Sequence, residues 1–329
     1  MTTILMTSVR DDEMAAINQY AEQHNITIKT TPKLIEDALD LTTDIDGLVI
    51  QQRDPVPDHV YPILKEHGLK QLASRTAGYD MVNVPLAHEN GLIVTNVPAY
   101  SPRSVAEFAL MQIFRLLRNT YAFDHRVAQN DFRWAGLQSL EIHSATIGII
   151  GVGRIGGTLA KLLKALDARV LGYDVKPRSD LAGIVEYVSK DELLQQSDVV
   201  SLHVDLNPTS VNLLTASDFR LMKASAGLVN ASRGPVVNTS DLITALEEHT
   251  IKAVALDTVE GEGPVFNADL HQKGISDLQI AKLHALDNVI LTPHVAFFTN
   301  IAVQNMVDFA LDDVLTILNG GHSSHEIKP

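Results

Sequence analysis

Residues 145–174 read ATIGIIGVGRIGGTLAKLLKALDARVLGYD, and this stretch decides the fold. An apolar run from Thr146 to Ile150 enters glycines at 151, 153 and 156. Leu159, Leu162 and Leu163 then follow at helical spacing, and a second apolar run ends on Asp174. The G-x-G-x-x-G spacing alone is weak evidence, but here it sits between a strand and a helix, with an acid about 20 residues further on. Each residue type has a task in such a unit: Gly151 allows the tight turn, Gly153 lets the backbone approach a pyrophosphate, and Gly156 permits close packing of helix on strand. The helix start at Arg154 and Ile155 supplies free N–H groups and the positive end of a helix dipole for the phosphates. Asp174 would accept hydrogen bonds from both ribose hydroxyls and repel a 2′-phosphate, which predicts NAD rather than NADP.

At 329 residues the chain suits two domains. Its 45% hydrophobic and 20% charged residues describe a globular protein, and no apolar stretch is long enough to span a bilayer. The opening MTTILMTSVRDDEM has a short strand-like run followed at once by acids, unlike a secretory signal, so a cytoplasmic address is expected. The absence of cysteine removes disulfides, thiolate zinc sites and thiol nucleophiles. A net charge of −14 argues against nucleic acid and anionic membranes as partners. An anionic substrate would need a local cationic anchor.

Strands and helices alternate along most of the chain, which predicts an α/β protein with parallel sheets and helices on their faces. A first series runs through strands at Ile4–Ser8, Thr27–Lys29, Gly47–Ile50 and around Leu72 and Ile93, with helices over 11–24 and near 57–67. From Ser101 the pattern turns helical for many turns, a second α/β series runs from Thr146 to about Pro293, and Val303 to Leu318 has helical spacing. The last residues, NGGHSSHEIKP, read as a frayed tail.

In an open parallel sheet, ligands bind outside the carboxyl ends of the strands. Three further ends carry unusual polar residues: AGLVNASRGPVV (226–237) reaches Arg233, IKAVALDTVEGE (251–262) reaches Asp257 and then Glu262, and VILTPHVAFFT (289–299) reaches His294. Each has a bland reading alone: a solvated arginine, an exposed loop acid, an imidazole filling a sheet edge. Together they place a cation, an acid and an imidazole on the nicotinamide's edge of the sheet.

With RTAGYDMVNV (75–84), VTNVPAYSPRSVAEFAL (94–110), GVGRIG (151–156), GYD (172–174) and the three stretches above, the chain resembles the D-isomer-specific 2-hydroxyacid dehydrogenases, and within them is similar to the D-lactate and D-2-hydroxyisocaproate dehydrogenases. The resemblance implies two Rossmann-like domains: a discontinuous substrate-binding domain of residues 1–100 and 299–329, and an NAD-binding domain of residues 101–298 inserted in it. It also implies a homodimer, with the long helix after Ser101 at the interface. Arg233 would hold the carboxylate of a 2-oxo acid and polarise its keto group. His294 would give a proton to the keto oxygen. Glu262 would accept a hydrogen bond from the other ring nitrogen, orienting the imidazole and favouring its charged form.

The N–H groups of Ala77 and Gly78 would take the other side of the carboxylate, and Tyr100 would close the pocket. Ile50, Phe297 and Phe298 would face the substrate's side chain, leaving room for aliphatic or aromatic 2-oxo acids. His203, Val204, Ala231, Ser232 and Asp257 would lie beside the cofactor. His203 and Asp205 have a metal-like spacing, but no further ligand lies near them in sequence, so no metal site is expected. Other readings stand beside this one: a glyoxylate or hydroxypyruvate reductase, or a dinucleotide-sensing corepressor-like binding protein.

Overall fold

The computed structural model describes residues 2–52 and 54–328. The chain divides into two compact units, Met1–Ser101 with Phe298–Pro329, and Pro102–Phe297.

The first unit is built on five parallel strands, β1 (Thr3–Met6), β2 (Thr27–Thr30), β3 (Gly47–Ile50), β4 (Gln71–Ser74) and β5 (Ile93–Thr95), in the order β2-β1-β3-β4-β5. Side chains alternate across the pleat. Ile4, Met6, Val49 and Ala73 pack against the helices Met14–His24 and Asn300–Leu318. Leu5, Leu48, Ile50 and Leu72 pack on the opposite face with Val60, Tyr61 and Leu64 of the helix Val60–Glu66. Burial on both faces accounts for the nearly unbroken apolar reading of β3.

Three expectations change here. The last helix begins at Asn300 rather than near Val303, because Thr299 caps it by accepting the Ala302 N–H at 3.3 Å; a polar first turn carries no hydrophobic signal. The helical stretch after Ser101 is two helices, Pro102–Leu117 and Thr120–Ala128, separated where Asn119 takes a left-handed φ of 55°. The C-terminal residues are docked, not frayed. Ser323 Oγ donates to buried Asp313 at 2.6 Å, His325 Nδ1 lies 3.1 Å from the same carboxylate, and Ile327 N–H donates to Val94 O at 2.8 Å. An antiparallel bridge joins Glu326 to Thr95, so the tail covers the outer edge of β5.

The second unit holds seven strands, β6 (Thr146–Ile150), β7 (Arg169–Tyr173), β8 (Glu186–Tyr187), β9 (Val199–Leu202), β10 (Gly227–Asn230), β11 (Ala253–Leu256) and β12 (Val289–Leu291), all parallel, in the order β12-β11-β10-β9-β6-β7-β8. One face buries Ile149, Val170, Val199, Val229 and Ala255 under the helices Pro102–Leu117 and Arg154–Ala165. The other buries Ile150, Leu171, Val200, Leu228 and Val254. From β6 the chain builds outward through β7 and β8, then returns to place β9 on the other flank of β6. That reversal opens a crevice at the carboxyl ends of β6 and β9.

The docked tail can be checked directly. In Asp313→Ala the Ile327 amide is expected to lose about tenfold or more of its protection from hydrogen exchange, while amides in β1 and β3 keep theirs. Unchanged protection at Ile327 would mean that the strand edge alone holds the tail.

Candidate active site

The glycine turn sits at the crevice. Gly151 has φ +90°, and a Cβ there would stand 2.5 Å from the His203 carbonyl oxygen. At Gly156 a Cβ would run into the Gly151 carbonyl, so that glycine brings helix and strand together. Gly153 differs: nothing lies within 4 Å of a Cβ built on it. The protein's own packing gives no reason for a glycine at 153, whereas a ligand's close approach does. No side chain caps the first turn of the helix Arg154–Ala165.

Asp174, at the end of β7, accepts from Val152 N–H at 2.7 Å and from Lys176 N–H at 2.8 Å. It therefore braces the glycine turn, a task the sequence did not show. Arg178 braces the same turn from its far side by donating to Gly153 O at 2.7 Å, and pairs with Asp180. At the end of β9, His203 Nε2 lies 2.8 Å from Ser201 Oγ, while Nδ1 is shielded with no partner. Burial pushes the His203 pKa down to about 4, so this ring is neutral at neutral pH.

The ends of β10, β11 and β12 carry the three other polar groups. Arg233 follows β10 in extended backbone, with its carbonyl held by Asn230 Nδ2 at 3.0 Å; Ser232 is fixed by Asn230 Oδ1. Ala231 and Val204, at the exits of β10 and β9, are partly buried. His294 has a left-handed φ of 56°, and its Nδ1 lies 2.5 Å from Glu262 Oε1. The other oxygen of Glu262 accepts Val259 N–H at 2.7 Å, which fixes the carboxylate's direction. Phe297 meets the imidazole edge-on, with ring centroids 6.5 Å apart.

Asp257 belongs to this cluster in a way that the sequence did not reveal. It is buried, and its carboxylate accepts from Thr292 Oγ1 at 2.7 Å, Val295 N–H at 3.1 Å and Ala296 N–H at 2.8 Å. Burial raises its pKa, opposed by those three hydrogen bonds. Asp257 is thus first a strut for the turn that presents His294. Of roughly four acceptor positions on a carboxylate, one is left for a donor on a cofactor.

In the first unit, the turn after β4 is arranged around its carbonyls. Thr76 O accepts Val97 N–H at 3.0 Å, Ala77 O accepts Asn96 Nδ2 at 2.6 Å, and Gly78 O accepts Thr76 Oγ1 at 2.7 Å. No described acceptor meets the N–H of Ala77 or Gly78. Tyr100 is partly buried, its carbonyl held by Asn305 Nδ2 at 2.7 Å. Phe298 is half exposed beneath the Arg10 guanidinium, 5.6 Å from its ring centroid. Ile50 departs from expectation. It is 1% exposed within the core beside Val56, Tyr61 and Leu72, so it lines no free wall. The first partly exposed residue leaving β3 is Gln51, whose Oε1 accepts Arg10 Nη1 at 2.9 Å.

Residues 110–296 match the family described as D-isomer specific 2-hydroxyacid dehydrogenase, NAD binding domain. Over 330 residues, the chain is 39% identical to a D-2-hydroxyacid dehydrogenase (NAD(+)) from Clostridioides difficile, covering 99% of both. The chain belongs to the D-isomer specific 2-hydroxyacid dehydrogenases. Among solved structures of this family it is similar to a D-lactate dehydrogenase from Sporolactobacillus, with 51% identity, TM-score 0.87 and 99% of each chain covered. It is also similar to the NAD-complexed form of a D-isomer specific 2-hydroxyacid dehydrogenase from Lactobacillus delbrueckii ssp. bulgaricus, with 35% identity, TM-score 0.87, and 99% and 100% of the two chains covered.

As in other members of this dehydrogenase family, the second unit is an NAD-binding domain, and its residues fit that cofactor. Space over Gly153 and the uncapped helix start suit a pyrophosphate, and the Asp174 carboxylate retains acceptor capacity for ribose hydroxyls.

Asp174 provides the test of cofactor choice. Asp174→Ala removes a negative charge and leaves Arg178 nearby, so the ratio of kcat/KM for NADH over NADPH is expected to fall by about tenfold or more, with weaker NADH binding because Val152 loses its brace. Equal use of both cofactors by the unsubstituted enzyme would overturn the assignment.

Proposed function

We propose that the chain catalyses reversible, NAD-dependent reduction of 2-oxo acids to D-2-hydroxy acids, with Arg233, Glu262 and His294 as its catalytic set. The observation that carries this is the 2.5 Å bond between His294 Nδ1 and Glu262, which leaves Nε2 as the ring's free nitrogen. A histidine fixed at Nδ1 by a carboxylate is oriented as a proton donor or acceptor at Nε2. When bound, the nicotinamide supplies the hydride. His294 gives the matching proton to the keto oxygen, and takes it back when the hydroxy acid is oxidised. Arg233 binds the substrate carboxylate and polarises the keto group, providing local positive charge in a chain of net charge −14.

Ala77, Gly78, Tyr100, Phe297 and Phe298 are proposed to contact the 2-oxo acid. With Ile50 committed to the core, the apolar phenyl rings of Phe297 and Phe298 remain the basis for accepting aliphatic or aromatic side chains beyond the methyl of pyruvate. Each additional buried methylene would add about 0.8 kcal/mol at most.

We also infer a cytoplasmic homodimer. No described helix is long and apolar enough to cross a membrane, and the cysteine-free composition suits a reducing compartment. Met111, Phe123, Val127, Phe132 and Trp134 stand exposed on the helices Pro102–Leu117 and Thr120–Ala128 and the segment after them, with Trp134 86% exposed. This apolar surface suits a second copy of the chain.

His294→Ala is expected to lower kcat for 2-oxo acid reduction by about 10²–10⁴-fold while NADH binding persists, and Glu262→Gln to lower it by a smaller factor. Near-normal turnover in His294→Ala would overturn the mechanism. No turnover by the unsubstituted protein across pyruvate, 2-oxobutyrate, 2-oxoisocaproate and phenylpyruvate would favour the dinucleotide-sensing reading instead. For the oligomer, sedimentation equilibrium should give twice the chain mass of 35.9 kDa, and Trp134→Lys should shift it toward a single chain. A monomeric unsubstituted protein would remove the dimer.

A further inference from the structure

Arg75 is the largest fully buried side chain among the described residues, and it immediately precedes the turn that leaves Ala77 and Gly78 N–H without described acceptors. All three of its guanidinium nitrogens donate. Nε and Nη2 donate to the two oxygens of Glu13 at 2.7 and 3.1 Å, Nη1 donates to Thr7 O at 2.8 Å, and Nη2 also donates to Ser8 O at 2.8 Å. Glu13 is likewise fully buried, and its Oε2 accepts Arg10 N–H at 2.9 Å. One charged pair therefore ties together the exit of β1, where Ser8 takes a left-handed φ of 53°, the short turn over 10–13, and the exit of β4.

Stability does not explain this arrangement. Removing two charges from water carries a desolvation cost that their attraction only partly offsets, and apolar side chains of similar volume usually serve a core as well or better. Burial indeed lowers the Arg75 pKa, and Glu13 acts against that shift. What apolar side chains cannot do is grip two carbonyls and a carboxylate in one plane; lysine, without the planar fork, cannot do so either.

We propose that the buried Arg75–Glu13 pair is a positioning device for substrate, holding the 76–78 turn so that the Ala77 and Gly78 N–H groups stay free to receive a 2-oxo acid's carboxylate. The pair acts through the backbone and touches no substrate. Asn96, Val97 and Thr76 hold the turn's carbonyls from one side, and Arg75 anchors its root from the other. The inference rests on the role proposed above for those two N–H groups.

The test uses Arg75→Lys, Glu13→Gln and the paired variant Glu13→Leu with Arg75→Met in the full-length enzyme. It measures kcat and KM for a 2-oxo acid that the unsubstituted enzyme reduces, Kd for NADH by fluorescence, and Tm. Displacing binding groups by a fraction of an ångström should raise KM by about tenfold or more with a smaller change in kcat, while NADH affinity stays within about twofold. The paired apolar variant should melt near the unsubstituted enzyme and keep the raised KM, which a purely structural role would not produce. A wild-type KM in folded Arg75→Lys or in the folded paired variant overturns the proposal. If the paired variant does not fold, Arg75→Lys decides. Absence of turnover in the unsubstituted enzyme overturns the substrate reading and this inference with it; turnover with an unmoved KM overturns the inference alone.

Discussion

A parallel sheet buried on both faces has no room for polar side chains along its strands, so its chemistry collects where the strands end. In the NAD-binding domain that constraint divides the work across one edge. The exits of β6, β7 and β9 carry Gly151, Asp174 and His203, around the crevice where the strand order reverses. The exits of β10, β11 and β12, three neighbours in the sheet, carry Arg233, Glu262 and His294. Strand pairing brings these three groups to neighbouring strand exits although 61 positions of sequence separate Arg233 from His294.

Proximity does not aim a side chain, and Asp257 supplies the aim. By accepting from Thr292, Val295 and Ala296, it joins the end of β11 to the turn after β12 and holds His294 at a left-handed φ that non-glycine residues seldom adopt. Glu262 then sets the ring by one oxygen while Val259 N–H sets Glu262 by the other. The network is consistent at every link: each buried acceptor has a donor, which makes a low-dielectric setting strengthen the arrangement instead of straining it.

The first unit sets backbone groups, not side chains, at the exit of β4. Its turn after β4 uses up the carbonyls of residues 76–78 within the domain, so the remaining hydrogen-bonding capacity is donor capacity. Arg75 and Glu13 anchor that turn from inside the core, at an electrostatic cost that makes sense only if the geometry matters more than the stability.

The α/β class and the glycine turn were legible in the sequence, because each rests on local pattern: apolar runs alternating with helical spacing, and glycines at fixed offsets; polar residues closing apolar runs marked Arg233, Glu262 and His294 as candidates. The left-handed break at Asn119 and the docked C-terminal residues were not legible, since their partners, such as Gln138 for Asn119 and Val94 for Ile327, lie elsewhere in the chain, and the Thr299 cap was missed because a polar first turn carries no hydrophobic signal. The same distance hid the bracing of the glycine turn by Asp174, the strut formed by Asp257 and the pairing of Glu13 with Arg75, 62 residues apart. Ile50 shows the limit most clearly. Its place at a strand end is written in the sequence, but whether its side chain meets core or ligand depends on which face of the pleat it takes, and only the packed sheet decides that.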